Sequence, residues 1–477
     1  MYRVKFGYFL VGILLFSCKN KFVKELYVEE EISAPLYRPL PSPQLTDGDP
    51  EKGLEYLIYG DYMGTGFPFK TFDGFVRKQL GRYVGDDEGK VLSREGINSN
   101  VPFTHTAFKA NTGAWVVNGN CFSCHAGRIE GKVVLGLGNS FSDYRRNFKF
   151  PLTAMNTFMR FRYPKDSPEW QAYAPTIPMY KALASNTKAP NYGMNPASRT
   201  AEIAGLYRNP ADLSLVETPI DSYEIAPVNV VTDVPPLWHV KKKHSLYYNG
   251  LGHGDFTKLL MQITLAGIED TTHARKVQEN FVDVLAWINE LEPPKYPKEI
   301  NLALADQGKL VYNDNCSKCH GKYGERDTYP NKLVPLHEVQ TDPAYARTTI
   351  RSDFVGWYNQ SWYANSPPYS EIKPSEGYIA PPLDGIWATA PYLHNGSIPT
   401  LEDLLDSEKR PAFWQRSGSS KDLDYQRVGW QYERKGSGKG KYTYDTTENG
   451  SSNSGHYYGD KLTSDEREAI IEYLKTL

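Results

Sequence analysis

Two five-residue stretches decide how this chain reads: Cys121-Phe-Ser-Cys124-His125 and Cys316-Ser-Lys-Cys319-His320. Each is C-x-x-C-H, the spacing that attaches a c-type haem. The chemistry requires that spacing. Two thiols add to the two porphyrin vinyl groups, and the adjoining histidine reaches the iron as proximal ligand. A zinc site built from two cysteine pairs leaves the histidine directly after each pair unexplained. A thioredoxin-like redox pair belongs on a strand-to-helix turn, a pattern neither stretch shows. Structural disulfides would use the cysteines but leave His125 and His320 idle. Two covalently bound c-type haems are therefore expected, with iron held by His125 and His320. They consume four cysteines, and the fifth, Cys18, lies near the N-terminus.

Working outward, the tail LTSDEREAIIEYLKTL sets Ala469, Ile470, Ile471, Tyr473, Leu474 and Leu477 at helical spacing behind Thr463 or Ser464 as N-cap. VQENFVDVLAWINELEPPKYP repeats that logic between Val277 and Leu291, and Pro293-Pro294 ends the helix. A new amphipathic segment, LALADQGKLVYNDNCSKCHG, then runs into the second haem motif. A helix before the haem motif and another closing the domain predict a mainly α fold. It comprises two cytochrome c-like haem domains with long loops, haem domain one at 51–295 and haem domain two at 296–477. A second echo supports duplication: PPLWHVKKKHSLYYNG (235–250) and PPLDGIWATAPYLHNG (381–396). Tyr248 in the first copy stands where His394 stands in the second. Both copies continue into Leu-rich ends, DFTKLL (255–260) and PTLEDLL (399–405).

A length of 477 residues exceeds the usual size of one core. The net charge of −2 argues against a nucleic-acid binder, which normally carries a strong basic excess. The abundance of Tyr, Gly and Pro points to long ordered loops. Residues 1–17 read as a signal peptide, with Arg3 and Lys5 ahead of an apolar run too short to span a bilayer. Leu15-Phe16-Ser17-Cys18 resembles a bacterial lipobox, which would lipidate Cys18 and make the lipid the only membrane contact. Residues 18–50, polar and Pro-rich with Glu29-Glu30-Glu31, read as a flexible tether. The expected location is the periplasmic side of a cell envelope.

The two C-x-x-C-H stretches together with TAPYLHNGSIPTLEDLL resemble the bacterial di-haem cytochrome c peroxidases. GDYMGTGFPF, YDTTENGSSNSGHYYG and EAIIEYLKTL are closer to their larger peroxidase-like relatives, which include the di-haem rubber oxygenases. The resemblance implies haems near the domain interface, one relaying electrons and the other binding hydrogen peroxide or dioxygen. It also implies a small redox protein as electron donor, a calcium ion near the interface and a homodimer.

An iron's role turns on its sixth ligand. In the classical peroxidases a methionine follows the PYxHDG-type motif and binds the iron; that position is Glu408 here, and the last methionine of the chain is Met261. His456, shortly before the closing helix, is where a cytochrome c fold presents its distal ligand. It is placed first as ligand of haem two. His394 is the alternative, either as ligand or as a hydrogen-bond partner of a propionate or loop carbonyl. Aligning the closing helices without a gap, Leu291 on Leu477, sets Asp270 opposite His456, and no histidine lies between His125 and His239. Haem one is thus expected to be five-coordinate or weakly ligated and reactive. Rival ligands are Met155, Met159, Met194, Met261, His239, His244, His253, His273 and Tyr248. The peroxide proton requires an acid/base, for which His239, His244 and nearby carboxylates are candidates; Tyr248 is expected to wall the open pocket. Arg145-Arg146 and Lys241-Lys242-Lys243 can neutralise propionates, and Trp115, Trp238 or Trp387 can stand between the haems.

Overall fold

The computed structural model describes residues 46–73, 94–146, 149–220 and 231–477. The signal segment, most of the tether and Cys18 lie outside them. Seven helices carry the argument: α1 (Pro50–Tyr59), α2 (Lys149–Arg162), α3 (Phe256–Leu260), α4 (Thr271–Glu290), α5 (Leu302–Asn315), α6 (Leu401–Leu405) and α7 (Ser464–Leu474). Long loops and, among the described residues, six sheets of two or three strands surround them. The largest contact surfaces join α1 to α4 and α5 to α7.

All of these helices except α2 start where a short polar side chain satisfies the first free N–H groups. Asp49 accepts from the amides of Glu51 and Lys52, and Asn301 accepts from Leu304. Asp270 accepts from His273, and Thr463 forms a reciprocal capping box with Glu466. Both pairs cross at a glycine. A Cβ on Gly53 would stand 2.1 Å from the Asp283 carbonyl oxygen, and one on Gly308 would stand 1.9 Å from that of Ala469. Asp283 and Ala469 occupy the same register that sets Leu291 on Leu477. Around the first crossing pack Leu57, Tyr62, Phe122, Phe281 and Trp287. Around the second pack Tyr312, Leu401, Leu405, Ile470, Tyr473 and Leu474.

The two halves differ in what is added. Ahead of the first haem motif a hairpin forms from His105–Lys109 and Trp115–Gly119, with Phe67–Pro68 on its other edge. The α4 helix also begins about two turns earlier, relative to the crossing, than α7 does. Residues 39–477 form one compact unit, and the segment joining α4 to α5, where the sequence sets a boundary, is extended.

The echoed stretches adopt one backbone. Tyr247 and Leu393 occupy the left-handed region at φ 71° and 68°, and Gly250 and Gly396 do so at 66° and 64°. The bridge from Leu246 to Gly252 recurs from Tyr392 to Ile398. Helices α3 and α6 follow, capped by Asp255 and Thr400. The copies also bind each other reciprocally. Asp233 N–H donates to the His394 carbonyl at 2.8 Å, and Ile379 N–H, the equivalent donor, reaches the Tyr248 carbonyl at 2.7 Å.

Gly308→Ala, which forces the α5/α7 crossing apart, should lower stability by about 1–3 kcal/mol, read as a drop in thermal midpoint. Gly436, whose Cβ position meets nothing within 4 Å, should accept alanine without that loss.

Candidate functional site

Cys316, Cys319 and His320 open onto a cavity of about 210 Å³. Its wall is apolar and comes from both halves of the α5/α7 unit: Tyr312, Leu383, Ile386, Tyr392, Leu401, Leu405, Ile470 and Leu474. The His320 ring is oriented by its Nδ1, which lies 2.8 Å from the Pro381 carbonyl oxygen, the first residue of the second PPL. A histidine held this way directs its other nitrogen into the site. Gly136 N–H donates to the His125 carbonyl, and Leu237 N–H donates to Gly136. These bonds bring the first PPL against the first haem motif, where burial lowers the His125 pKa to about 4 and the Pro235 carbonyl, which closes no full hydrogen bond, only partly offsets it.

His456 lines the same cavity, its ring centre 6.2 Å from that of His320 and its plane tilted by 60°. Two imidazoles bound to opposite faces of one iron, with metal–nitrogen bonds of about 2 Å, hold their ring centres about 6 Å apart. The pair therefore fits a haem iron between them. Burial, reinforced by His320, lowers the His456 pKa to about 3, so the ring is neutral as a ligand must be. Its backbone is left-handed at φ 52°, following a left-handed Gly455. Arg410 holds that strained turn. Its guanidinium donates to the carbonyls of Asn453, Gly455 and His456 and to those of Asp403 and Leu404 at the end of α6.

The thiols fit the group as well. None of the four cysteines is bonded to another, and burial raises Cys121 to about 12 and Cys316 to about 11, the protonated thiol form. Lys243 lines the cavity at 8% exposure, and no anionic partner for it is found among the described residues. Burial lowers its pKa to about 8. A buried ammonium beside a haem cavity fits a propionate.

The remaining candidates separate. His239 is buried on the cavity wall with Nε2 2.9 Å from the Asp384 carbonyl oxygen, and burial and Lys243 lower its pKa to about 3. Trp238 donates to that same carbonyl at 2.8 Å, three residues from both Pro235 and, through Asp384, Pro381. Tyr248 and His394 line the cavity with ring centres 6.1 Å apart, and His394 stacks on Tyr378 at 4.1 Å. His244 is half-buried off that wall, its amide donating to Asn331. Met155, Met159, Met194 and Met261 are packed in apolar clusters. His253 is a strand residue opposite Glu371. Trp115 is nearly half exposed, and Trp387 bonds to the Pro294 carbonyl. Asp270, aligned with His456, is the α4 cap, and residues 271–277 that follow it are α-helical, whereas the aligned residues 457–463 precede α7. Among the described residues no group of three or more His, Cys, Asp or Glu side chains is placed to hold a separate metal ion.

Two functional residues escaped the sequence reading, whereas Lys243 belongs to the Lys241-Lys242-Lys243 run expected to meet a propionate. Arg410 acts through contacts distant in sequence, and no local signal singles it out of its neighbours. Asp233 lines the cavity, and burial pushes its carboxyl up to about 8, a shift that Val234 and Arg416 only partly offset. It holds a proton at neutral pH.

Residues 377–415 match the family model described as RoxA-like, cytochrome c-like. The match takes in Pro381, His394, α6 and Arg410. This part of the chain is thus similar to a cytochrome c-like domain, and with the cavity the likeness supports a haem cofactor. Two uncharacterized proteins of Sinorhizobium fredii (strain NBRC 101917 / NGR234) are also similar. One, y4iJ, is 30% identical across 39% of this chain and 41% of its own; the other, y4iM, is 27% identical across 53% and 66%. The chain thus spans less than two thirds of either relative. Among the described residues no helix is long and apolar enough to cross a membrane.

The Asp233 carboxyl gives a pH signature. A group whose folded pKa is raised favours the fold below its unfolded value, and that advantage is lost as pH rises through the folded value. Asp233→Asn removes the dependence. The variant's thermal midpoint relative to the parent should therefore climb between about pH 4 and pH 8. Chemical denaturation across that range checks it, and a constant offset would speak against a proton held at Asp233.

Proposed function

We propose that this protein is an exported di-haem c-type cytochrome oxidoreductase that reduces hydrogen peroxide at haem one with electrons relayed by haem two. One observation carries the reading. His456 stands at the correct separation from His320, whereas the aligned position before α4 is a helix cap with no ligand. The second site is closed and the first is open. When bound, the haems supply the redox chemistry, with the closed iron passing electrons and the open iron taking the small molecule.

The chain's own residues supply the rest. Pro381 sets the tilt of the His320 ring, and the first arm reaches the first haem motif through Leu237, Gly136 and the His125 carbonyl. Trp238 ties the two proline arms through Asp384 and is the shortest bonded link between them. Lys243 neutralises a propionate, and Asp233 stores a proton within the cavity. His239, already engaged with Asp384 and depressed in pKa, positions the arm more readily than it exchanges a proton. The electron donor in this reading is a small redox protein, the location is the periplasmic side, and Cys18 carries the lipid. A homodimer and an interfacial calcium ion rest on the family resemblance alone. Dioxygenation of an apolar organic substrate is the second reading, favoured by the RoxA-like match.

Ferric spectra test the assignment. One high-spin haem that binds cyanide and one low-spin haem are expected, and His456→Gly should convert the low-spin signal to high-spin, with imidazole restoring it. Two low-spin haems that ignore added ligands would sink the enzyme reading. Peroxide turnover with a reduced small cytochrome should exceed oxygen uptake with an unsaturated hydrocarbon by at least about tenfold; the reverse ratio selects oxygenation.

A further inference from the structure

The α2 helix has a surface that no part of the redox reading uses. Its inner face is ordinary: Met155, Asn156 and Met159 are buried, packed with Tyr163, Tyr173 and Ile177. Its outer face is not. Phe150 is 82% exposed, Phe161 88% and Phe158 47%, three of the eight most exposed large apolar side chains described. At 100° per residue, Phe150 and Phe161 lie about 20° apart around the axis, and Phe158 lies within about 80° of Phe150. They form one stripe rather than scattered exposure. Arg160 flanks it on one side and Arg162 on the other, with both side chains exposed.

The charge around the stripe is one-sided. Between Lys149 and Lys165 the sequence carries Lys149, Arg160, Arg162 and Lys165 and no Asp or Glu, whereas Arg145 just before it is ion-paired with Asp143. The chain as a whole is slightly acidic, at −2. A local run of cations in such a chain is a departure, and an aromatic stripe between cations is the pattern of a helix that lies in a membrane interface. Phenyl rings reach below the headgroups while guanidinium groups meet lipid phosphates.

We propose that α2 docks the protein on an anionic lipid surface, with Phe150, Phe158 and Phe161 inserted at the headgroup level and Arg160 and Arg162 paired with lipid phosphates. The docking goes beyond the peroxidase reading and does not depend on which haem is open. It would fix the orientation of the body on the membrane, which a flexible N-terminal tether alone cannot do.

The test uses the haem-loaded full chain carrying Cys18→Ser, so that no attached lipid contributes. Binding is measured by co-sedimentation with vesicles of phosphatidylcholine alone and of phosphatidylcholine with one third phosphatidylglycerol. Binding to the anionic vesicles should be at least about tenfold tighter and should weaken as salt is raised. Phe150→Ser/Phe161→Ser should cut it about tenfold or more, and Arg160→Gln/Arg162→Gln should abolish the preference for anionic vesicles. Both variants should keep the haem spectrum of the parent, which separates lost docking from misfolding and from any failure of the redox reading. Equal binding by parent and Phe variant overturns the proposal. So does a change from dimer to monomer in the Phe variant without loss of vesicle binding, which would assign the stripe to a second copy of the chain.

Discussion

Two backbone hydrogen bonds, from Asp233 to His394 and from Ile379 to Tyr248, hold the centre of this molecule together. Each runs from just before a PPL arm to the position before the Asn-Gly of the other copy. Each arm, in turn, sets its proline carbonyl against a haem-motif histidine. The geometry of one proximal ligand is therefore tied to the other through a few bonded steps. Trp238 adds a third tie by bonding to Asp384, and His239 shares the same acceptor. Moving one arm costs all of these contacts together, because their partners are buried and have no water to turn to.

A symmetric frame of this kind makes the differences between the halves informative. Both crossings use a glycine against a backbone carbonyl, and both echoed turns carry the same two left-handed residues. Against that shared background the second half keeps a histidine before its closing helix, and the first half extends the helix through that place. Tyr248 and His394 then change meaning. They are neighbours across the centre of the frame, bordering the same cavity, with His394 stacked on Tyr378.

The haem motifs, the closing helices and the echo were legible because each is a local pattern with fixed spacing. The register of the closing helices was legible too, since the Gly53 and Gly308 crossings fall in it. The hairpin before the first motif was not read, although HTAFKANTGAWVVNG alternates around an Asn-Thr-Gly turn and could have been. The early start of α4 was missed because an ungapped alignment compares positions, not helix lengths; Asp270, a good N-cap residue, was the available sign. Arg410 and Asp233 could not be found this way, and the run Lys241-Lys242-Lys243 gave no sign that Lys243 is its buried member. Their roles come from carbonyls, a cavity and a low dielectric that exist only once distant segments meet.

The turn at His456 shows why such long-range support is needed. A non-glycine residue in the left-handed region is costly, and it persists only when its surroundings over-determine it. Here the His456 amide is held by the Val339 carbonyl at 2.7 Å, and Arg410 collects the carbonyls on both sides of the turn. Most donors of that guanidinium are thereby spent on backbone oxygens. Its half-buried charge is held in a way that a lysine could not reproduce, because only a planar fork reaches five carbonyls at once. The strain keeps the ring Nδ1 without a partner in the protein and the imidazole beside His320. On the proposed reading, a relaxed turn would let the histidine swing away from His320 and would open the second site as well. The asymmetry between the halves thus rests less on the presence of a histidine than on the arginine that prevents it from leaving.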